Sequence, residues 1–415
     1  MKGIRLILVG GGGRGTIYSQ LSKKLGNVRV VAVAEPREFF RSRIAALHGI
    51  PAADACADWR ELAARPKFAD AVVIATQDRI HLAPSLAFAE KKYHILIEKP
   101  LAPDFASCRR IVDAVRCNGI ILSVCHVLRY TEFTRKLKAL LDAGTIGRIV
   151  CVQHLEPVGH WRFAHSFVRG NWRREAESSP IVLAKSSHDL DWIRYIVDSP
   201  AKRVSSFGSL MFFKKENQPA GAADRCLDCA LAGACPYCAQ NFYLNRLREG
   251  KIDAYVEAVT GTPTRESVLE SLRVGPYGRC VFACDNDVAD HQVVNLEFEN
   301  GVTAAFTLAG CSVFGDRRIT IFGSLGEISG DGEHIFVSDY LTGTTRAVPV
   351  PTPAVPDRHG GGDFNLLKAF VDAVSGDDAR GNVSGAEISL ETHKLVFGAE
   401  RARRENRVVS LSEFS

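Results

Sequence analysis

At 415 residues, 46% hydrophobic and 24% charged, the chain exceeds one ordinary core and has the composition of a globular protein built as two domains. A net charge of +5 with scattered basic residues argues against a nucleic-acid surface, and no run approaches the roughly 18 apolar residues that a membrane helix requires. The apolar stretch Ile4–Val9 is too short for a signal-peptide core and is already used as a strand; the expected location is therefore cytoplasmic, where the twelve cysteines point to metal, chemistry or packing before disulfides.

The first element is a buried strand, Leu6–Val9, that runs into Gly-Gly-Gly-Gly-Arg-Gly at positions 10–15 and then into a helix starting near Thr16. Glycine at 10 allows a tight turn, glycine at 12 lets the backbone approach a pyrophosphate, and glycine at 15 lets helix and strand pack closely. The helix N-terminus offers free N–H groups to phosphate. A second apolar run ends in Glu35, twenty residues after Gly15, the position of an acid that accepts from ribose hydroxyls. This combination predicts dinucleotide binding, with Gly10, Gly12, Gly13, Arg14, Gly15 and Glu35 in the cofactor site. The carboxylate at 35 favours NAD over NADP, although Arg37 lies close by in sequence.

The alternation continues through residue 125. Helix 36–47, strand Ala71–Ala75, helix 81–91, strand His94–Ile97, helix 104–117 and strand Ile120–Val124 follow in turn. Apolar runs without alternation mean strands covered on both faces, hence a doubly wound parallel sheet. Beyond residue 126 the strands Ile149–Leu155, Val204–Phe213, Gln292–Phe298, Val302–Leu308 and Arg318–Phe322 alternate in part, and Asn300-Gly301 is a hairpin signal. The expected fold class is α/β: a Rossmann domain at 1–125 and, at 126–415, a second α/β domain with an open, mainly antiparallel sheet. Ser179-Pro180 opens a helix to about Val197, with serine as cap. Further helices are expected within 364–403, and a cysteine-rich insertion at about 224–240.

Ala-Thr-Gln-Asp at 75–78 with His81, and Ile-Leu-Ile-Glu-Lys-Pro at 95–100, together with the glycine fingerprint and His188, closely resemble the glucose-fructose oxidoreductase / inositol dehydrogenase / MocA (Gfo/Idh/MocA) family across essentially the whole chain. The resemblance implies hydride transfer between NAD(P) and a carbinol of a sugar, cyclitol or related polyol, with Lys99 beside the nicotinamide and the reacting hydroxyl. It also implies a homodimer or homotetramer, formed by burying the open sheet against a copy. Thr76, Gln77, His81 and Glu98 would line the cofactor path or orient Lys99.

The residues agree with that chemistry. Hydride removal from a C–H needs the alcohol proton taken from the same carbon, so a base and a group that stabilises alkoxide are required. Lys99 ends a parallel strand, where open α/β sheets hold ligands. His188 titrates near neutrality in its free form, and on the helix from Pro180 Lys185, His188 and Trp192 lie at i, i+3 and i+7 and so share a face. Family dehydrogenases commonly carry aspartate where this chain has Ala184; Lys185 is the local substitute, making Lys99, His188 and Lys185 the catalytic set. His126, Arg129 and Tyr130 begin the second domain, and the segment 154–172 is dense in aromatic and basic residues. His126, Arg129, Tyr130, His165, Arg169, Trp172 and His359 are thus expected to read a sugar's faces and hydroxyls, or a carboxylate or sulfonate.

Cys226, Cys229, Cys235 and Cys238 form two C-x-x-C pairs, the arrangement of tetrahedral thiolate sites, with structural zinc the expected occupant. Two rival functions stand beside the dehydrogenase: an NAD-dependent glycosidase that oxidises transiently, eliminates and adds water, and a non-catalytic NAD-binding regulator.

Overall fold

The computed structural model describes residues 3–414. The apolar runs of the first half become β1 (Ile4–Val9), β2 (Val28–Ala34), β3 (Ala55–Cys56), β4 (Ala71–Ile74), β5 (His94–Ile97) and β6 (Leu122–Val124). They pair in parallel in the order β3-β2-β1-β4-β5-β6. Strand order reverses beside β1, so the crevice that takes a ligand opens over the C-terminal ends of β1, β4 and β5. Every residue of β4 is buried, as a strand sandwiched between helices must be.

A nine-stranded sheet occupies the second half. It contains β7 (Ile149–Gly159), β8 (Ala201–Ser209), β9 (His291–Phe298), β10 (Thr303–Ser312), β11 (Arg318–Gly323), β12 (Gly326–Gly330), β13 (Ile335–Asp339), β14 (Thr345–Val348) and β15 (Val409–Ser410). The order is β14-β13-β12-β11-β7-β10-β9-β8-β15; β7 and β10 are parallel and the other pairs antiparallel. Gly301, at φ 84°, turns β9 into β10. On the inner face Val294, Leu296, Phe306 and Leu308 pack with Leu190, Ile193 and Ile196 of helix Ser187–Val197 in one core. The outer face is open, and Phe207 and Val293, register partners across β8 and β9, are both exposed there.

Two features differ from expectation, the helix that carries His188 and the length of the insertion. The helix expected from residue 180 to about 197 is broken into Ile181–Ala184 and Ser187–Val197. Ser179 does not cap it; its hydroxyl donates to Asp78 at 3.0 Å. The insertion is far longer than 224–240 and fills the chain between β8 and β9. Helices Ala239–Arg248, Ala254–Val259 and Arg265–Val274 enclose a small core of Cys226, Ala239, Tyr243, Val256, Val268 and Leu272. Helix Gly362–Ser375 buries Leu366 and Phe370 with Ile4, Leu6 and Leu8, so the chain returns to cover the first sheet. No helix among the described residues is long and apolar enough to cross a membrane.

Candidate active site

Backbone geometry explains the glycines first. Gly10 has φ +93°, and a Cβ there would meet the carbonyl oxygen of Ala75 at 2.5 Å; at Gly15 it would meet the carbonyl oxygen of Gly10 at 1.9 Å. These two make the turn possible. Gly13, the first residue of helix Gly13–Leu25, is exposed, and a Cβ there would meet nothing within 4 Å; it leaves the helix N-terminus open to an anion. Thr76, where β4 ends, presents a buried hydroxyl with no partner. A cradle of this shape, with free N–H groups and an unpaired hydroxyl, fits a dinucleotide.

Glu35 directly follows β2. Its carboxylate accepts from the Gly11 N–H at 2.7 Å and from Arg37 Nε at 2.7 Å. Burial would raise it, but Arg37 and the Gly11 N–H outweigh that and hold it below the usual carboxylate range. Gln77 lies at the same end of the sheet. Two members of the expected cofactor set have other partners. Arg14 donates to Glu98 at 2.5 Å, to the Tyr18 hydroxyl at 2.6 Å and to Asp363 at 2.5 Å, which makes it a tie to helix Gly362–Ser375. His81 is buried with Nδ1 2.8 Å from the Pro100 carbonyl and Nε2 3.2 Å from that of Thr76. It pins two strand-end loops together, because both of its polar atoms are spent on backbone.

Lys99 follows β5, joined to Pro100 by a cis peptide. Its Nζ donates across the crevice to the carbonyl of Ala184 at 2.5 Å, the last residue before the helix break. Burial lowers its affinity for a proton, and Glu98 and Asp78 partly oppose this. His188 sits in the first turn of the next helix, partly accessible, with a buried Nδ1 that has no hydrogen-bond partner. Burial, then Lys99 and His126, hold its ring well below the usual histidine range, so it is neutral at physiological pH.

Lys185 occupies the break and donates to Glu156 of β7. It therefore does not share a face with Trp192, whose indole N–H donates to Thr134 at 2.9 Å. Burial pulls the Lys185 ammonium below the usual lysine range against the attraction of Glu156. Arg317 closes the network: Nε donates to Asp189 at 2.6 Å and lies 2.8 Å from Glu156 Oε2, and Asp189 also faces His154 Nε2 at 2.8 Å. Glu156 and Arg317 were not anticipated. The signal for Glu156 lay in strand parity, since Val152, His154, Glu156 and Val158 all point inward, placing two polar residues on a core face. Arg317 carried no local signal.

Several residues expected at the substrate wall face inward instead. Arg129 makes a bidentate pair with Asp191, both contacts 2.7 Å, and the Tyr130 hydroxyl is 2.8 Å from that of Ser384. His165 is buried 2.6 Å from the Tyr243 hydroxyl and stacks on Tyr277. Arg169 donates to the carbonyls of Arg279 and Tyr237, each at 2.7 Å, and Trp172 packs on the large core. These three anchor the insertion, because buried hydrogen-bonding groups in a packed core must find partners there. His126 is fully buried beside His188, ring centroids 6.3 Å apart. His359 faces Asp363 at 2.8 Å; burial would raise that carboxyl, but Arg14 and His359 hold it well below its usual range.

The four insertion cysteines do not form the expected metal cage. Among the described residues no group of three or more His, Cys, Asp or Glu side chains could hold an ion. Cys226 instead accepts from Arg169 Nη2 and the Ala239 N–H, both at 3.5 Å. A hydrogen bond from Cys238, then Arg169, lowers its thiol against burial.

Comparison with known proteins matches residues 4–126 to an oxidoreductase family with an NAD-binding Rossmann fold, and residues 138–411 to the C-terminal alpha/beta domain of the same Gfo/Idh/MocA family. The chain is 26% identical to myo-inositol 2-dehydrogenase of Thermotoga maritima over 210 residues, 50% of this chain and 59% of that one. It is 31% identical to 1,5-anhydro-D-fructose reductase of Ensifer adhaerens over 139 residues, 33% and 40% of the two chains. Among the curated relatives it matches, the chain spans about half of their length. A levoglucosan dehydrogenase structure with NADH and L-sorbose superposes over 99% of both chains with a TM-score of 0.74 at 17% identity.

Proposed function

The chain belongs to the Gfo/Idh/MocA oxidoreductase family, and from that premise we propose that it transfers a hydride between NAD(H) and a secondary alcohol of a sugar, cyclitol or sugar derivative. The observation that carries this reading is Lys99, which follows β5 and spans the crevice to Ala184, the residue before the helix break, with His188 in the first turn beyond that break. Relatives named as inositol dehydrogenases and a structural neighbour solved with NADH and a sugar support the same class.

The nicotinamide, when bound, supplies the hydride acceptor or donor. Everything else falls to the chain. One Lys99 N–H is held by Ala184, which orients the ammonium; two remain for the reacting oxygen, where they stabilise negative charge. The neutral His188 ring is the form that accepts the hydroxyl proton. Lys185, neutralised by Glu156, positions the helix start that carries His188. Glu35 retains its charge and so repels a 2′-phosphate, which supports NAD over NADP. All twelve cysteines are unpaired, which suits the cytosol, and the exposed Phe207–Val293 pair supports self-association through the open face, measured by sedimentation.

A second reading is favoured by one contact. Glu257 of the insertion pairs with Arg43 at 3.0 Å, and Arg43 also donates to Thr16 at 3.1 Å. This ties the insertion to the helix beside the glycine turn and suits an enzyme that retains its cofactor through oxidation, elimination, water addition and re-reduction. Relatives named 2,7-anhydro-N-acetylneuraminate hydratase are 25% and 26% identical over partial lengths. A panel of sugars, polyols and glycosides with NAD, followed at 340 nm and by product mass, tests both readings. Absorbance change without cleavage or hydration supports the dehydrogenase. Cleavage or hydration without net reduction supports the retained-cofactor reading, and silence in both assays overturns the two together.

A further inference from the structure

Arg162 differs from the other arginines around the crevice. It lies on the short helix His160–Phe163 that follows β7, half-buried. Arg129, Arg169 and Arg317 each have carboxylate or carbonyl partners. Among the described residues Arg162 makes no hydrogen bond, no ion pair and no ring contact. It lies close enough to Lys99, Lys185 and the His165 ring to act on their charges. The carboxylates of this region are already committed, Glu156 to Lys185 and Asp189 to Arg317 and His154. The Arg162 guanidinium nitrogens reach solvent and hold no partner, so the group is open to a ligand, and its planar fork matches a carboxylate in two places at once.

We propose that Arg162 receives a carboxylate carried by the substrate, so that the crevice selects sugar acids over neutral sugars and polyols. This rests on the hydride-transfer reading above. Lys99 keeps the reacting oxygen, and Arg162 holds the far end of the molecule, which fixes which hydroxyl-bearing carbon is presented.

Calorimetric titration tests the assignment. Protein saturated with NADH is titrated with D-gluconate and D-glucuronate and, in parallel, with sorbitol and D-glucose. The acids are expected to bind at least tenfold more tightly than their neutral counterparts. Arg162→Gln should weaken the acids by about 10–100-fold and leave NADH affinity within about twofold, and Arg162→Lys should fall between. Equal binding of neutral and acidic sugars, no binding of either acid, or unchanged acid affinity in Arg162→Gln overturns the proposal. So does a loss of NADH affinity in Arg162→Gln, which would make the guanidinium a cofactor ligand. Failure of the underlying reading shows separately, as absence of NADH binding by the unaltered protein; the acids titrated into the unloaded protein then still decide whether Arg162 holds them.

Discussion

Two clusters of charge flank Lys99 and His188, one on the cofactor side and one on the substrate side. On the cofactor side Arg14, 27% exposed, is shared between Glu98 and Asp363, with Tyr18 and His359 completing the shell. On the substrate side Glu156 and Asp189, at 1% and 0% exposure, face Lys185 and Arg317. The first is a joint between distant parts of the chain and stays in contact with water. The second is drier at its lysine, Lys185 being 7% exposed, and it holds the helix break that presents Ala184 and His188. The difference teaches that solvent reaches Arg14 when one of its contacts is broken and scarcely reaches Lys185.

Substitutions can break or sharpen that comparison. The largest effect is expected at the residue between the clusters: Lys99→Met should lower kcat on the order of 10³-fold while leaving the thermal midpoint and NADH affinity near the original. A variant that keeps more than a tenth of the rate would remove Lys99 from the chemistry. Next, Glu156→Gln leaves the buried Lys185 charge without its partner and should cost about 3–5 kcal/mol in urea denaturation. Arg14→Gln, in the wetter cluster, should cost about 1–3 kcal/mol. Equal losses would show that the two clusters are equally sealed.

Acidity gives a graded effect. His126 and His165 are pushed down to about 3 and His393 to about 4, in each case chiefly by burial. These rings stay neutral in the folded protein while the unfolded chain protonates them below about pH 6.5. Stability is therefore full above that pH and declines as pH falls toward the folded values. Each ring removes up to about 1.4 kcal/mol per pH unit in that window. Thermal melts between pH 7 and 5 should show the decline, and His393→Gln should make it shallower; a flat profile would mean that the rings take up protons in place. In the rate profile of alcohol oxidation, neutral His188 and charged Lys99 set an acid limb below 6.5 and an alkaline limb below 10.5, in line with the directions of their shifts. The smallest effect is expected at Glu35→Gln, which should narrow the preference for NAD over NADP by about tenfold, read as the ratio of kcat/KM values.

The cofactor half was legible because its signals are local. A strand, a glycine turn and a helix occupy consecutive residues, and both Gly10 and Gly15 are required by clashes with nearby backbone. Glu35 and Lys99 could be placed because each ends a continuous apolar run. The substrate half was legible only in outline. His165, Arg169 and Trp172 looked like a binding wall, yet they hold up the insertion, whose core comes from residues scattered between 226 and 272. The helix break at Lys185 was hidden because neither glycine nor proline stands between Ile181 and Val197 to mark it.

Composition, apolar runs and turn chemistry thus determined the two sheets, the glycine turn and the residues at strand ends, since backbone sterics and burial act over a few neighbouring positions. Tertiary structure alone decided which charges meet. The pairs 14 with 363, 129 with 191, 156 with 185 and 189 with 317 join separate elements, and a charge taken out of water is stabilised by whichever partner the fold delivers, at whatever distance along the chain.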